Sequence, residues 1–165
     1  MSRFRPSPQA TTIPSTFTHH EDHSILHPDS GLVSWGRVVV TSTRLKQDGG
    51  EIFLRAGKHK GPHSGFGVRH IWMEHGHELI KWGYTTIDDV PRFVAEIVVH
   101  GTNVVCEFND MRGLHRVIAI RGRKGCAVLS AWEKSGEIHY SVVTAYRNRT
   151  PNGSPVGRIE STAPQ

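Results

Sequence analysis

Cysteine is scarce: two in 165 residues, Cys106 and Cys126, each inside an apolar β-branched run. That excludes a disulfide framework, and with no C-x-x-C pair a zinc ribbon is excluded too. Both read as small core residues of a reduced protein. No run of about 18 apolar residues is present, so no segment reads as a membrane-spanning helix, and the N-terminus lacks the apolar core of a signal peptide. The expectation is a soluble chain acting in the cytoplasm without a membrane partner. Gly65-x-Gly67 lacks the third glycine and the βαβ context of a dinucleotide loop, so neither a nucleotide cofactor nor any other is expected. There are no internal repeats. Negative charge is also in deficit, with 15 Asp and Glu against 20 Lys and Arg, for a formal charge of +5, and 12 histidines add to it below neutral pH. Such a balance favours an anionic partner, RNA first among the candidates, without choosing between nucleic acid and an acidic protein.

What is present divides the chain into three. Residues 1–32 are rich in Ser, Thr, Pro and His and poor in apolar side chains, which reads as a disordered or loose tail. The cluster His19-His20-Glu21-Asp22-His23 within it is treated as incidental to metal binding. Residues 33–150 form the domain, and 151–165 read as a second irregular tail. Inside the domain, Arg37–Thr43 and Glu51–Arg55 read as a short strand pair across the Asp48-Gly49-Gly50 turn.

The stretch from about Phe66 to Lys81 has helical periodicity: Val68, Ile71, Trp72, His75, Leu79 and Trp82 fall within one arc about 100° wide. His70, Glu74 and His77 lie on another arc, toward solvent or a cleft. A second helix starts at Thr86, with Asp88 and Asp89 in its first turn and Val90, Phe93, Val94, Ile97 and Val98 on its buried face. Beyond His100 the period changes to two. Asn103–Phe108, His115–Ile120, Cys126–Trp132 and Ile138–Tyr146 are short strands with turn-rich connectors, the pattern of an antiparallel meander. The expected fold is α+β: two N-terminal helices packed on a four-stranded antiparallel sheet, preceded by the short strand pair and flanked by irregular tails.

Chemistry concentrates in two places. The loop Lys58-His59-Lys60-Gly61-Pro62-His63 runs into the first helix, bringing cations and imidazoles beside a helix N-terminus and His70. An imidazole near its ordinary pKa suits a general acid or base at neutral pH. His75, in the apolar arc, is balanced between a buried structural role and catalysis. In the last run, strict alternation puts Tyr140, Val142, Thr144 and Tyr146 on one face, so the hydroxyls of Thr144 and Tyr146 project together. Arg121, Arg123 and Lys124 form a basic turn beside Arg112, and Arg147 closes the strand. A metal held by His70, Glu74 and His77 is not expected, because the spacing is not His-Glu-x-x-His.

Gly65-Phe66-Gly67-x-x-His70-Ile71-x-x-x-His75, followed by Thr144-x-Tyr146, resembles the motifs of the barnase/EndoU/colicin/RelE-like (BECR-fold) ribonucleases of phage- and polymorphic-toxin-associated type, over about residues 35–158. The resemblance implies two helices followed by a four-stranded sheet, and a metal-independent endoribonuclease. In such an enzyme a ribose 2′-hydroxyl attacks the adjacent phosphorus, leaving a 2′,3′-cyclic phosphate and a 5′-hydroxyl. It implies His70 as general base or acid, with His75 nearby and Thr144 and Tyr146 on the scissile phosphate. Lys58, His59, Arg147, Arg112, Arg121 and Arg123 would bind substrate RNA, tRNA among the candidates. Members are often neutralised by an acidic immunity or antitoxin protein, whereas this chain begins with its own Met and reads as free-standing. Barnase-like members use a glutamate base, for which Glu107 and Glu137 are the candidates here. The alternative from a different class is a non-catalytic RNA- or DNA-binding module with the same basic surface.

Overall fold

A computed structural model describes residues 12–112, 115–147 and 153–161. The chain forms β1 (Arg37–Val40), β2 (Gly50–Phe53), a hairpin of β3 (Lys58–Gly61) and β4 (Ser64–Phe66), and then helix α1 (Gly67–Ile80). A 3-10 turn (Ile87–Asp89) leads directly into α2 (Val90–Ile97), followed by β5 (Asn103–Arg112), β6 (His115–Arg121), β7 (Cys126–Lys134), β8 (Glu137–Tyr146) and β9 (Ser154–Glu160).

The expected two-helix, four-strand α+β architecture is not what forms. Seven strands close into a barrel in the order β1-β2-β8-β7-β6-β5-β9, while β3 and β4 form a separate two-stranded ribbon. Two strands account for the difference. β2 pairs with β8 in parallel, Glu51 opposite His139 through Phe53 opposite Ser141, which carries the sheet past the meander's edge. β9, within the stretch expected to be an irregular tail, pairs with β1 on one side and β5 on the other. Closure removes the unpaired edges that an open four-stranded sheet would expose. The turn expected at Asp110–Gly113 is also displaced, because β5 continues to Arg112, opposite His115.

Helices and barrel share one core. Ile71 and Leu79 of α1 and Phe93 and Ile97 of α2 are fully buried with Ile52, Ile120, Leu129, Tyr140 and Ile159 from the strands. The periodic stripe of α1 is buried at Val68, Ile71, Trp72 and Leu79, but Trp82 lies beyond the helix end and is 52% exposed. At the 3-10 turn, the Asp89 carboxylate accepts hydrogen bonds from the backbone N–H of Thr85 and Thr86, satisfying donors that a helix start otherwise leaves open.

Residues 12–32 carry no helix or named strand, but they are tied to the domain. The Ala56 and Gly57 N–H groups donate to the carbonyls of His23 and Glu21, and the Ile25 N–H donates to Leu54. Arg69 of α1 reaches the carbonyls of Gly57 and His19, and its guanidinium lies 4.8 Å from the Phe17 ring.

Candidate active site

Two glycines let the hairpin fold back on the helix that follows it. Gly67 opens α1 at φ +78°, and a Cβ there would lie 2.4 Å from the Arg55 carbonyl oxygen; at Gly57, φ +80°, one would lie 1.9 Å from that of Phe66. With both positions bare, the end of β2 and the base of the hairpin pack backbone against backbone. The N–H groups of Val68 and Arg69 then donate to the carbonyls of Arg55 and Ala56. The basic segment at Lys58–Ser64, read from sequence as a flexible loop, is thereby a twisted ribbon lying on the first turns of α1.

The ribbon covers His70. Helical periodicity places that side chain toward solvent or an open cleft, yet it is 3% exposed, because β3 and β4 occupy the space above it. His59 on β3 stands opposite Gly65 on β4, and its Nδ1 lies 3.0 Å from Nδ1 of His70. At that distance one nitrogen carries a proton and the other accepts it, so a single hydrogen bond joins the two imidazoles. Their rings stack with centroids 5.3 Å apart. Burial pushes the His70 pKa below its ordinary value. Glu74, one turn on, pulls it back up, and His59 and His63 add to the depression. The Glu74 carboxylate accepts a 2.6 Å hydrogen bond from the His63 N–H, where the ribbon turns at φ +57°. His59, His70 and Glu74 each offer one ligand atom within 4.8 Å of the others, and these are the residues at the site that could hold a divalent cation.

The remaining candidate residues are scattered. Lys58 is an exposed ammonium 4.0 Å from Glu21. His75 faces Tyr146, ring centroids 5.4 Å apart, and the Tyr146 side chain hydrogen-bonds with the buried Cys126 thiol, which burial pushes above its ordinary pKa. Arg147 lies 3.5 Å over the Trp82 ring, Arg121 donates to the Gly153 carbonyl at 3.5 Å, and Arg123 is exposed in the β6–β7 turn. Arg112 ends β5, but its side chain is outside the described residues. Of the two glutamates weighed as a base, Glu107 is half-buried on β5 and Glu137 is 80% exposed at the start of β8.

Thr144 and Tyr146 do not share a face with Tyr140 and Val142. Across β7 and β8, Leu129 opposes Val142 while Val128 opposes Thr144, so Val143 is an extra residue, a β-bulge. Past the bulge the alternation inverts: Tyr140, Val142 and Ala145 fill the core, whereas Thr144 joins Ser141 and His139 on the outward face. There the Thr144 hydroxyl is buried without a hydrogen-bond partner.

Sequence reasoning missed what lies along this outward face. Arg55 donates from Nε to the Ser141 hydroxyl at 3.3 Å and from Nη1 to Asp22 at 3.2 Å, and its guanidinium lies 4.1 Å from the Phe66 ring. It borders a cleft lined by Gly65, Phe66, Ser130, Trp132, Ser141 and Val143. Gly65 links that cleft to the imidazole pair, since a Cβ there would lie 2.8 Å from His70 Nδ1. Arg55 stands two residues beyond the end of β2, and only the non-local pairing of β2 with β8 brings Ser141 beside it.

No family model matches this chain, no curated protein matches it, and no solved structure matches it. No helix among the described residues is long and apolar enough to cross a membrane.

Proposed function

We propose that the chain is a metal-independent endoribonuclease of the toxin type, cleaving RNA by attack of a ribose 2′-hydroxyl on the adjacent phosphorus. The observation that carries this reading is the His59–His70 pair: two imidazoles 3.0 Å apart under a basic ribbon. The chemistry needs one group to take a proton and another to give one. His70, held below its ordinary pKa, is the neutral base that removes the 2′-hydroxyl proton. His59, on the ribbon above His70, is the group that gives a proton to the departing 5′-oxygen. The products are a 2′,3′-cyclic phosphate and a 5′-hydroxyl. Lys58, Lys60 and Arg55 supply positive charge around the phosphate, and Thr144, unpartnered on the neighbouring face, is the hydroxyl left to polarise it. Tyr146, engaged with Cys126 and His75, is a positioning residue here. The exposed ammoniums of the ribbon are also where an acidic inhibitor protein would dock.

The test is purified protein with total cellular RNA in EDTA, wild type beside His70→Ala, with fragment ends mapped. Discrete fragments ending in cyclic phosphate are expected from wild type, and the variant is expected to lose about 10²–10⁴-fold in rate. Cleavage that disappears in EDTA and returns with Zn²⁺ would assign His59, His70 and Glu74 to a metal centre instead. Intact RNA that nonetheless binds would favour the second reading, a nucleic-acid-binding module, which the aromatic and cationic cleft on the outward face favours in its own right.

A further inference from the structure

The outward face of β2, β7 and β8 carries a second cleft, beyond Arg55 from the imidazole pair. It is lined by Asp22, Ser24, Phe53, Arg55, Trp132, Lys134 and His139, and encloses about 450 Å³. Strand register assembles it. Trp132 on β7 stands opposite His139 on β8, and β2 lies on the other side of β8 in parallel, which brings Phe53 alongside. Trp132 and His139 stack, and Phe53 is tilted by 46° against the far side of His139. His139 lies 4.8 Å from Trp132 at an interplanar angle of 27°, and 5.5 Å from Phe53.

Two features separate this stack from an ordinary patch of sheet. Trp132 faces out from the barrel and, packed on one side by His139, stays 37% exposed, so part of a large apolar ring meets water. The Nδ1 of His139 is buried with no hydrogen-bond partner, a cost that an ordinary strand position would shed by substitution. Around the rings stand Arg55 and Lys134, and Arg55 and Trp132 are shared with the cleft that reaches Gly65. Two carboxylates stand beside the rings as well: Asp22, bound to Arg55, and the exposed Glu137, 4.0 Å from His139 Nε2.

An aromatic face flanked by Arg55 and Lys134 fits a nucleobase with its phosphate. A base inside a duplex has both faces covered by its neighbours, so only an unpaired one can stack on a protein ring. We propose that Trp132, backed by His139 and Phe53, is the docking platform for an unpaired nucleobase of single-stranded nucleic acid. Lys134 and Arg55 hold the adjoining phosphate, and the strand runs along β8 toward the imidazole pair. This rests on the nuclease reading for its role, as the subsite that selects single-stranded substrate, but not for its test.

The probe is a short fluorescent 2′-deoxyoligonucleotide, which lacks the attacking hydroxyl and cannot be cleaved by this route, so binding is read whether or not the protein is a nuclease. Wild type is expected to bind the single strand and to ignore the same sequence as a duplex. Trp132→Ala is expected to weaken binding about 5- to 150-fold, the span of about 1–3 kcal/mol for a stacked base, while Trp132→Phe keeps most of the affinity. Lys134→Ala is expected to lower the salt slope by about one. Since both side chains are exposed, unchanged circular dichroism should accompany the losses. No binding by wild type, equal binding of duplex, or Trp132→Ala matching wild type would overturn the proposal. Oligonucleotide binding together with inert RNA would leave the platform standing and remove the nuclease.

Discussion

At the scale of single residues, His70 combines two properties that ordinarily exclude one another: nearly complete burial and a titratable imidazole. The fold tolerates it because His59 Nδ1 partners His70 Nδ1 across a single hydrogen bond. That arrangement makes stability depend on pH with a definite sign. In the unfolded chain the imidazole takes up its proton near pH 6.5, whereas burial holds the folded pKa lower. Between those two values the unfolded state binds more protons, so stability falls as the pH falls. Above about pH 6.5 the effect vanishes, and below the folded pKa it levels off. His27, also pushed down by burial, adds in the same direction. Urea midpoints measured from pH 7.5 down to 5 should therefore decline, and His70→Gln should flatten the decline without removing the part due to His27. An identical slope in the variant would mean that His70 does not titrate with folding. His70 was legible from the sequence as a candidate because of its neighbours in the chain. Its burial was not, because the cover comes from a ribbon whose packing depends on the bare Cα atoms of Gly57 and Gly67.

At the scale of elements, local pattern carried the strands and helices further than it carried their faces. The β-branched runs at Cys126–Trp132 and Ile138–Tyr146 are strands β7 and β8, and the helical stripes at Val68–Leu79 and Val90–Ile97 belong to α1 and α2. Strict alternation failed at one residue, the Val143 bulge, and from there every side chain of β8 was assigned to the wrong face. A bulge is written in the partner's register, so nothing in Ser141-Val142-Val143-Thr144 announces it. Deleting one of the two valines distinguishes the two accounts. With the observed register, the shortened strand keeps Tyr140, the remaining valine and Ala145 inward, and keeps Ser141, Thr144 and Tyr146 outward. The protein should fold with a loss within about 2 kcal/mol by chemical denaturation. Were the strand strictly alternating, the same deletion would turn Thr144 and Tyr146 out of their places and Ala145 into them, and the loss would be far larger. A deletion variant that fails to fold would argue against the bulge.

At the scale of the whole molecule, the decisive interactions join segments far apart in the chain. β1 finds β9, Arg37 opposite Glu160 and Val40 opposite Gly157, and β9 in turn finds β5. Periodicity within a window has no access to such pairings, which is why residues 151–165 read as a tail and the sheet as open. The residues themselves carried a faint sign. Val156 and Ile159 are fully buried, and they are the two β-branched aliphatic side chains in this stretch. Because β9 is the strand that closes the barrel, its removal has more than a local effect. A chain ending at Arg147 would expose the free edges of β1 and β5 at once and uncover Val38 and Val104, both completely buried in the closed form. The lost burial of Val156 and Ile159 alone is worth about 3–6 kcal/mol, comparable with the whole stability of a domain this size. The truncated protein should therefore lose its cooperative thermal transition and aggregate through the exposed edges, as read by calorimetry and light scattering. If the segment were a tail, truncation would leave the transition unchanged. A truncated chain that still melts cooperatively near the full-length midpoint would show that the sheet is stable open, and that the site on β8 does not depend on closure.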